Sequence, residues 1–161
     1  MKQLTVFIEN RMGRLEEVTD ILSKNNINII CISLADTSEY GMLRMIVSQP
    51  AAACEVLCNS GFSALLTDVT AVKLPHHFGS LKKLSGLLSS NSIDISYMYA
   101  LTSGDDAAIV IKTSDNEKAE ALIALGALSS IGEKIEPDPN NPHTYENWQE
   151  DVVFAYHRDR G

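Results

Sequence analysis

Polar groups that could hold a small anion stand together in the run ENRMGRLEEV, Glu9–Val18, which follows the apolar run LTVFI. The side chain of Asn10 carries one hydrogen-bond acceptor and two donors, and the guanidinium of Arg14 offers a fork of donors that matches a carboxylate. Gly13 has no Cβ, so a ligand could approach the backbone closely there. If a helix begins after this glycine, its unpaired N–H groups and positive dipole end would also favour a carboxylate or phosphate.

Spacing alone leaves open whether this run binds anything, because a strand-to-helix turn of this length favours Asn and Gly without any ligand. A second asparagine, Asn28, carries the same donors and acceptor at the start of a later apolar run. Asn28 could equally cap the turn KNNIN. The run is therefore either a turn or one part of a ligand site that includes Asn28.

The loop occurs twice, because the sequence matches itself at one constant shift, and a fixed period of this kind indicates a duplicated unit. In the second copy the loop is HHFGS, with His76 in place of Asn10 and Asp94 in place of Asn28. A carboxylate at the latter position would repel a ligand carboxylate and attract an ammonium group. The identical pairs at this shift include Val6 with Val72, Gly13 with Gly79, Leu15 with Leu81, Leu22 with Leu88, Asn25 with Asn91, Ile27 with Ile93, Ile29 with Ile95, Ser48 with Ser114, and Ala53 with Ala119.

The elements that must position these residues follow the same order in both copies. LTVFI alternates as a strand does, and from Leu15 onward the apolar residues take the spacing of one helix face. NIICISLA and MLRMIVS predict an antiparallel pair of strands, and a short helix begins at Pro50 and stops at Gly61. FSALLTDVTAVKL predicts the strand region that closes the first copy and opens the second. The order βαββαβ is the ferredoxin-like arrangement, an antiparallel sheet with two helices on one face.

We therefore predict an α+β fold of two ferredoxin-like βαββαβ units, residues 1–68 and 69–136, followed by an acidic, proline-containing tail, residues 137–161. The first strand and the strand after the first helix are expected to be parallel neighbours joined by a right-handed crossover. Asn10 and Asn28 then lie at opposite ends of these strands in one chain. They could meet the same ligand across an interface, one from each unit.

The strand IICIS is apolar on both faces, with Ile29 and Cys31 expected to point the same way. Something besides the helices must cover its second face: the other copy, a second chain or the tail, of which we favour a combination of the first two. Tyr97 and Tyr99 share one strand face and predict a packed surface between sheets rather than a ligand cage.

Composition limits the possible partners. The chain of 161 residues carries a net charge of −8, so nucleic acid and anionic membrane surfaces would repel it. No apolar run has the length of a secretory signal or a membrane span, and Cys31, Cys54 and Cys58 show no paired spacing. We expect a cytoplasmic protein with reduced, buried thiols, and neither nucleic acid nor a membrane as partner.

The motifs give little support to catalysis or metal binding. Cys54 and Cys58 stand four apart on a helix without a second pair at matching spacing, and the adjacent His76 and His77 would point to opposite faces of a strand. Asp105–Asp106 suits a hairpin turn. No nucleophile elbow or phosphate-binding loop occurs. We predict no catalytic residue, no metal ligand and no cofactor; a small enzyme built near the two histidines is a rival hypothesis.

The motifs ENRMGRL, INI and LADTSEYGMLRMIV, in this order, resemble the ACT domain, a small ligand-binding module attached to many enzymes of amino-acid metabolism. The second copy, with HHFGSL, IDI and YMYAL, resembles it more loosely. Together the copies cover residues 1–136 and resemble stand-alone tandem ACT proteins of bacteria. The resemblance implies βαββαβ units that pair into continuous sheets and bind a free amino acid at the seam between units.

The resemblance also implies site residues. In the regulatory domain of phosphoglycerate dehydrogenase, the loop asparagine and the asparagine that opens the second strand hold the ligand, and Asn10 and Asn28 match them. The family's usual proline before the loop glycine is replaced by Met12, and the histidine of the dehydrogenase domain is replaced by Ile8. The ligand-binding residues that we predict are Asn10, Met12, Gly13, Arg14, Leu15 and Asn28 in the first copy and Gly79, Ser80 and Asp94 in the second.

The main hypothesis from the sequence is a homodimeric sensor that binds a free amino acid and regulates an enzyme of amino-acid metabolism. A ligand shifts an equilibrium only between states that it binds unequally, so such a sensor needs two association states or a partner enzyme. The alternatives are a structural interaction module without a ligand and a small enzyme on the ferredoxin-like scaffold.

Overall fold

The structure is a computed structural model that describes residues 1–36, 40–74, 78–103 and 106–130. Within these ranges the predicted order of strands and helices is confirmed in both copies. The elements are β1 (Lys2–Glu9), α1 (Arg14–Lys24), β2 (Ile29–Asp36), β3 (Tyr40–Val47), α2 (Pro50–Asn59), β4 (Ser63–Asp68), β5 (Thr70–Lys73), α3 (Ser80–Ser90), β6 (Ile95–Ser103), β7 (Asp106–Thr113) and α4 (Asn116–Ser130).

Some predictions concern residues outside these ranges. They are the predictions for His76, His77 and Asp105, for the last strand of the second copy and for the acidic tail. Met1–Ala121 forms one compact unit, and the predicted domain boundaries at residues 68 and 136 stay predictions. In the described part of the chain, no helix combines the length and the apolar character needed to cross a membrane.

The first copy forms a four-stranded antiparallel sheet in the order β2-β3-β1-β4, here called the first sheet. The described strands of the second copy form the second sheet, in the order β5-β7-β6. The prediction that β1 and β2 are neighbours is wrong, because β3 returns from the turn after β2 and pairs with both. β1 and β2 are nevertheless parallel to each other, since each is antiparallel to β3.

The core of the first copy lies between the first sheet and the two helices of that copy. Val18 and Leu22 are the buried residues of α1, and Ala53 and Leu57 are those of α2. They pack against alternate residues of β1 and β3, as the period of two along a strand requires. The buried residues of this core are Leu4, Val6, Ile8, Val18, Leu22, Ile27, Leu43, Met45, Val47, Ala53, Leu57 and Phe62.

The second sheet covers the face of the first sheet that the helices leave free. This arrangement confirms that the other copy covers that face, and that Tyr97 and Tyr99 pack between sheets. The cluster between the sheets consists of Ile46, Val69 and Val110, with Cys31, Tyr97, Tyr99 and Leu101 packed against it.

The prediction that Ile29 and Cys31 share a face is wrong, because a β-bulge lies between them. Ile29 pairs with Val47 and packs on the helix-covered core, whereas Cys31 pairs with Ile46 and packs on the cluster between the sheets. The extra residue, Ile30, reverses the alternation of side chains along β2.

All three cysteines are free, as predicted. The expectation that they are buried is wrong in part, because Cys58 is exposed and Cys31 and Cys54 are half-buried. The thiol of Cys31 donates to the carbonyl oxygen of Ala100 on β6, with its Sγ 3.0 Å from that oxygen. Burial raises the pKa of Cys31 and of Cys54, so both thiols keep their protons at neutral pH.

A short junction connects the two sheets. β4 ends at Asp68, β5 begins at Thr70, and Val69 is buried between them, which confirms that this run closes one copy and opens the next. Asn116, the first residue of α4, donates from Nδ2 to the carbonyl oxygen of Asp68 at 2.6 Å. Its Oδ1 accepts the backbone N–H of Thr113 at 3.1 Å. One side chain therefore ties the junction to the start of the last helix.

Asn116→Ala is expected to lower the free energy of unfolding by about 1–2 kcal/mol, because the variant leaves the buried N–H of Thr113 without its partner. Urea unfolding of the full chain measures this change. Asn59→Ala at the exposed end of α2 is the control and is expected to change stability by less than ~0.5 kcal/mol. Equal urea midpoints for the two variants would contradict the role of Asn116.

Candidate functional site

The first loop turns from β1 into α1 through a left-handed glycine. The N–H of Arg11 donates to the carbonyl of Glu9 at 2.8 Å, and Gly13 has a φ of 88°. The first helical bond runs from the N–H of Glu17 to the carbonyl of Gly13, and no described side chain caps the first turn. A Cβ on Gly13 would meet no described heavy atom within 4 Å. The glycine thus makes the turn possible and leaves open space beside the backbone.

Asn10 occupies space that a second glycine provides. A Cβ built on Gly41, in β3, would lie 3.1 Å from Asn10 Oδ1, 3.1 Å from Ile8 Cγ1 and 3.2 Å from Leu34 Cδ1. The missing side chain of Gly41 therefore makes room for the amide of Asn10. Gly41 is not among the site residues predicted from the sequence. The signal that could have identified it is its counterpart Ala107, which is present where the second copy lacks the asparagine.

Arg14 is engaged within the first copy. Its guanidinium is ion-paired with Glu17 and lies 4.4 Å from the ring centroid of Phe62, and its side chain is 18% exposed. Glu9 lies 3.8 Å away and has a lowered pKa, mainly because Arg11 hydrogen-bonds to it and attracts it. A ligand carboxylate would have to compete with Glu17 for Arg14, so the backbone N–H groups of the first turn are the more accessible donors.

Met12 and Leu15 add apolar surface to the loop. Met12 is fully exposed directly before the glycine, and Leu15 is 40% exposed in the first turn of α1. Both stand beside the open space at Gly13. They could contact the side chain of a small ligand or a second protein surface.

Asn28 lies at the far end of α1. The helix closes with Asn26 at a φ of 57°, and the N–H of Ile27 donates back to the carbonyl of Leu22 at 3.0 Å, which is the Schellman pattern. The backbone of Asn28 pairs with Ser48: its N–H donates to Ser48 Oγ at 3.0 Å, and its carbonyl accepts the N–H of Ser48 at 3.0 Å. The amide of Asn28 is exposed and makes no hydrogen bond to the described residues.

A groove of about 470 Å³ opens beside Asn28. It is shallow and lies between the end of α1 and the start of β2, with both polar and apolar walls. Its lining residues are Thr19, Leu22, Ser23, Asn26, Ile27, Asn28 and Ile29.

The second copy repeats this geometry with different charges. Gly79 has a φ of 87° before α3, and Ser80 begins a helix that contains lysines in its first turn and no acidic residue. Asp94 is held by Ser114 as Asn28 is by Ser48, with its N–H 3.1 Å from the Ser114 Oγ. The equivalent groove has a volume of about 260 Å³ and is lined by Ser85, Ser89, Ser92, Ile93, Asp94 and Ile95.

The predicted residues form two separate groups in each chain. Asn10 lies beside Gly41, which pairs with Asp36 at the end of β2, whereas Asn28 precedes the start of β2. The eight residues of β2 span about 20–25 Å at the usual rise of a strand. One chain therefore brings Asn10 together with Met12, Gly13 and Leu15, and leaves Asn28 at the opposite end.

Among the described residues, no group of three His, Cys, Asp or Glu side chains has the geometry to hold a metal ion. The described part of the candidate site contains amides, backbone N–H groups and apolar side chains. These groups can bind a small polar molecule, and they include no pair of nucleophile and base.

Fold and loops together define the class of protein: a tandem of ferredoxin-like units with a glycine turn before the first helix of each. The particular family follows from a comparison with family models, in which the model described as an ACT domain pair matches residues 1–136. The chain belongs to this family, which confirms the resemblance seen in the sequence.

Solved structures show the same fold. A protein of Bacteroides thetaiotaomicron is 37% identical, with a TM-score of 0.73, and the match covers 78% of this chain and 88% of that one. The regulatory subunit of aspartate kinase from Thermus thermophilus is 18% identical, with a TM-score of 0.58 and coverage of 80% and 91%. The corresponding subunit from Thermus flavus is 21% identical, with a TM-score of 0.59 and coverage of 82% and 92%. A comparison with curated proteins found no match.

Proposed function

We propose that this ACT domain pair is a regulatory protein without catalytic activity, which binds a free amino acid at a seam between two chains. The observation that carries the proposal is the separation of Asn10 from Asn28 by the length of β2, together with the edge of that strand, which pairs with β3 alone among the described strands. Each chain then contributes half of a site, and a second chain completes it.

The edge strand β2 has the character of a pairing surface. Ile30, Ile32 and Leu34 are 51%, 46% and 53% exposed along a strand that contains no lysine or proline. Natural edge strands are usually blunted by such residues, because an unblunted edge recruits another strand. A second copy of the chain is the occupant that we propose for this edge.

The equivalent strand of the second copy is a weaker candidate. At the three positions that match those of β2, β6 has small or polar residues and one methionine, which is 37% exposed. Its edge therefore offers less aliphatic surface to a partner. The matched positions are Ile30 and Ser96, Ile32 and Met98, and Leu34 and Ala100.

Antiparallel pairing of two β2 strands about a twofold axis would join the two half-sites. Full pairing of the strand sets Ile29 of one chain opposite Asp36 of the other, since residue numbers run in opposite directions. Asn28 of one chain then approaches the Asn10 loop of the other. Two equivalent sites result, one at each end of the paired strands.

The chemistry of these groups suits a zwitterion. The N–H groups of Leu15 and Glu16, in the first turn after Gly13, would receive the carboxylate, and the amide oxygens of Asn10 and Asn28 would accept hydrogen bonds from the ammonium group. Met12 and Leu15 would contact an apolar side chain. Glu16 and Glu17 in the first turn of α1 disfavour a ligand with a second carboxylate, so we expect a neutral amino acid.

The partner that we propose is an enzyme of amino-acid metabolism in the cytoplasm. Two of the similar structures are regulatory subunits of aspartate kinase, and their likeness to this chain supports a regulatory role. Ligand binding would act by favouring one association state, because a ligand shifts only equilibria between states that it binds unequally.

Thermal shift and calorimetry of the full chain against the twenty amino acids test the proposal. At least one neutral amino acid is expected to raise the melting temperature at millimolar concentration, since a ligand of the folded state stabilises it. Asn10→Ala and Asn28→Ala are expected to reduce the affinity at least tenfold, the loss of about 1.4 kcal/mol.

The control for both variants is Asn59→Ala, which removes an exposed amide at the end of α2, outside the proposed ligand-binding residues. It should keep the response of the wild type. If no amino acid stabilises the chain, the result favours an interaction module without a ligand. If both site variants still bind with wild-type affinity, Asn10 and Asn28 do not belong to the site.

A further inference from the structure

One polar side chain is completely buried between the two sheets. Gln3, on β1, is 0% exposed and uses its amide in three hydrogen bonds. Its Nε2 donates to Thr5 Oγ1 at 2.8 Å and to the hydroxyl of Tyr97 at 2.9 Å, and its Oε1 accepts the hydroxyl of Tyr99 at 2.9 Å. The two longer-range bonds connect the first copy with the second.

The rest of the interface holds this group in place. The guanidinium of Arg44, on β3, lies 4.0 Å from the ring centroid of Tyr97, and the rings of Tyr97 and Tyr99 are 6.5 Å apart and nearly parallel. Burial raises the pKa of Tyr99 far above its ordinary value, so its hydroxyl keeps the proton that it donates to Gln3.

The network breaks the symmetry between the copies. Each position of the network has a counterpart in the other copy, and none of these counterparts repeats the chemistry. If two copies of the first sheet stacked on each other, the amide of Gln3 would face a thiol and a hydroxyl. If two copies of the second sheet stacked, the two phenols would face an aliphatic side chain. The matched positions are Gln3 and Val69, Tyr97 and Cys31, and Tyr99 and Ser33.

We propose that Gln3, Tyr97 and Tyr99 form a hydrogen-bonded key that fixes the orientation in which the sheet of the first copy stacks on the sheet of the second. Apolar sheet faces can stack in more than one orientation. A buried amide or phenol that loses its partner is penalised, so orientations that separate Gln3 from the tyrosines are disfavoured.

The key connects the strand that leads into the first copy's loop with the strand that begins at the second copy's groove. β1 holds Gln3 and leads directly into the loop of Asn10, and β6 holds both tyrosines and begins just after Asp94. Fixing β6 on β1 therefore fixes the second copy's groove relative to the first copy's loop. This inference does not depend on the ligand, and its test needs none.

A cycle of variants in the full chain tests the key. Gln3→Val introduces the residue that the second copy has at this position, and it leaves both tyrosine hydroxyls without their amide. We expect Gln3→Val to lower the urea midpoint, and the triple variant Gln3→Val/Tyr97→Phe/Tyr99→Phe to recover most of the loss. If Gln3→Val does not fold, Tyr99→Phe serves as the single variant, since it removes the donor to Gln3 Oε1.

The orientation itself is measured by the ¹H–¹⁵N correlation spectrum of the triple variant. We expect the peaks of β1 and β6 to double or broaden, while a wild-type chain and an Asn59→Ala control give one sharp set. A midpoint for the triple variant below that of Gln3→Val would overturn the proposal. A recovered midpoint with one sharp set of peaks would overturn it too, because the network would then add stability without selecting an orientation.

Discussion

Leu22→Ala and Leu88→Ala are each expected to lower the free energy of unfolding by about 2–5 kcal/mol, the usual cost of a cavity left by a buried leucine. Both leucines are 0% exposed, at matched positions on α1 and α3. Such a loss is a large part of the total stability of an ordinary domain. Urea unfolding followed by circular dichroism measures it.

Matched surface leucines supply the control for this pair. Leu15 and Leu81 lie on the same two helices at equivalent positions, and they are 40% and 47% exposed. Leu15→Ala and Leu81→Ala are expected to cost less than about 1 kcal/mol, because much of each side chain already contacts water. Similar losses at buried and exposed positions would contradict the assignment of the cores.

The buried pair also reports on cooperativity between the copies. Val69 is buried between the sheets, Gln3 joins them, and both sheets belong to the compact unit Met1–Ala121. Both variants are therefore expected to shift a single transition. Two transitions, each moved by only one of the variants, would show that the copies unfold separately.

Local features of the fold followed well from the sequence. Helix starts and ends depend on chemistry within a few residues, such as the glycine before α1, the asparagine that takes a left-handed φ at its end, and Pro50 at the start of α2. The repeat strengthened the first of these predictions, because Gly79 recurs at the matched position, whereas Ser92 and Asn116 stand where the first copy has Asn26 and Pro50. Antiparallel strand pairs joined by a tight turn were predictable for the same local reason.

Features that depend on the pairing of strands distant in the chain could not be predicted from the sequence. The position of β3 between β1 and β2 is decided by which strand edges hydrogen-bond, and the hydrophobic pattern of each strand is compatible with either order. The bulge at Ile30 reverses the alternation of β2, and a continuous apolar run such as IICIS gives no sign of it.

Parts of the candidate site escaped prediction for a similar reason. Gly41 matters because its missing Cβ leaves room for Asn10, and a contact between positions so far apart in the sequence cannot be seen in a turn motif. Gln3 stands in an apolar strand and shows no functional signal until Tyr97 and Tyr99 are seen beside it. The comparison of repeats could have marked both positions, since the second copy has Ala107 and Val69 there.

The proposed seam between two chains is the other place where we expect a large effect. Ile32→Lys should weaken self-association by roughly thirtyfold to several hundredfold, because it sets a charge on the edge of β2 that pairing would have to desolvate, at a cost on the order of 2–4 kcal/mol. Folding should change little, since Ile32 is 46% exposed. Light scattering and sedimentation over a range of concentrations measure the association.

Met98→Lys is the matched control, because Met98 is the equivalent residue of β6 and is also exposed. We expect Met98→Lys to associate like the wild type, and Ile32→Lys to lose both association and the response to the amino acid, since the proposed site needs groups from two chains. If only Met98→Lys dissociates the chains, then self-association takes place through β6 of the second copy and not through β2. A monomeric Ile32→Lys chain that still binds the amino acid with wild-type affinity would place the whole site within one chain, and the groove beside Asn28 would then have to act without Asn10.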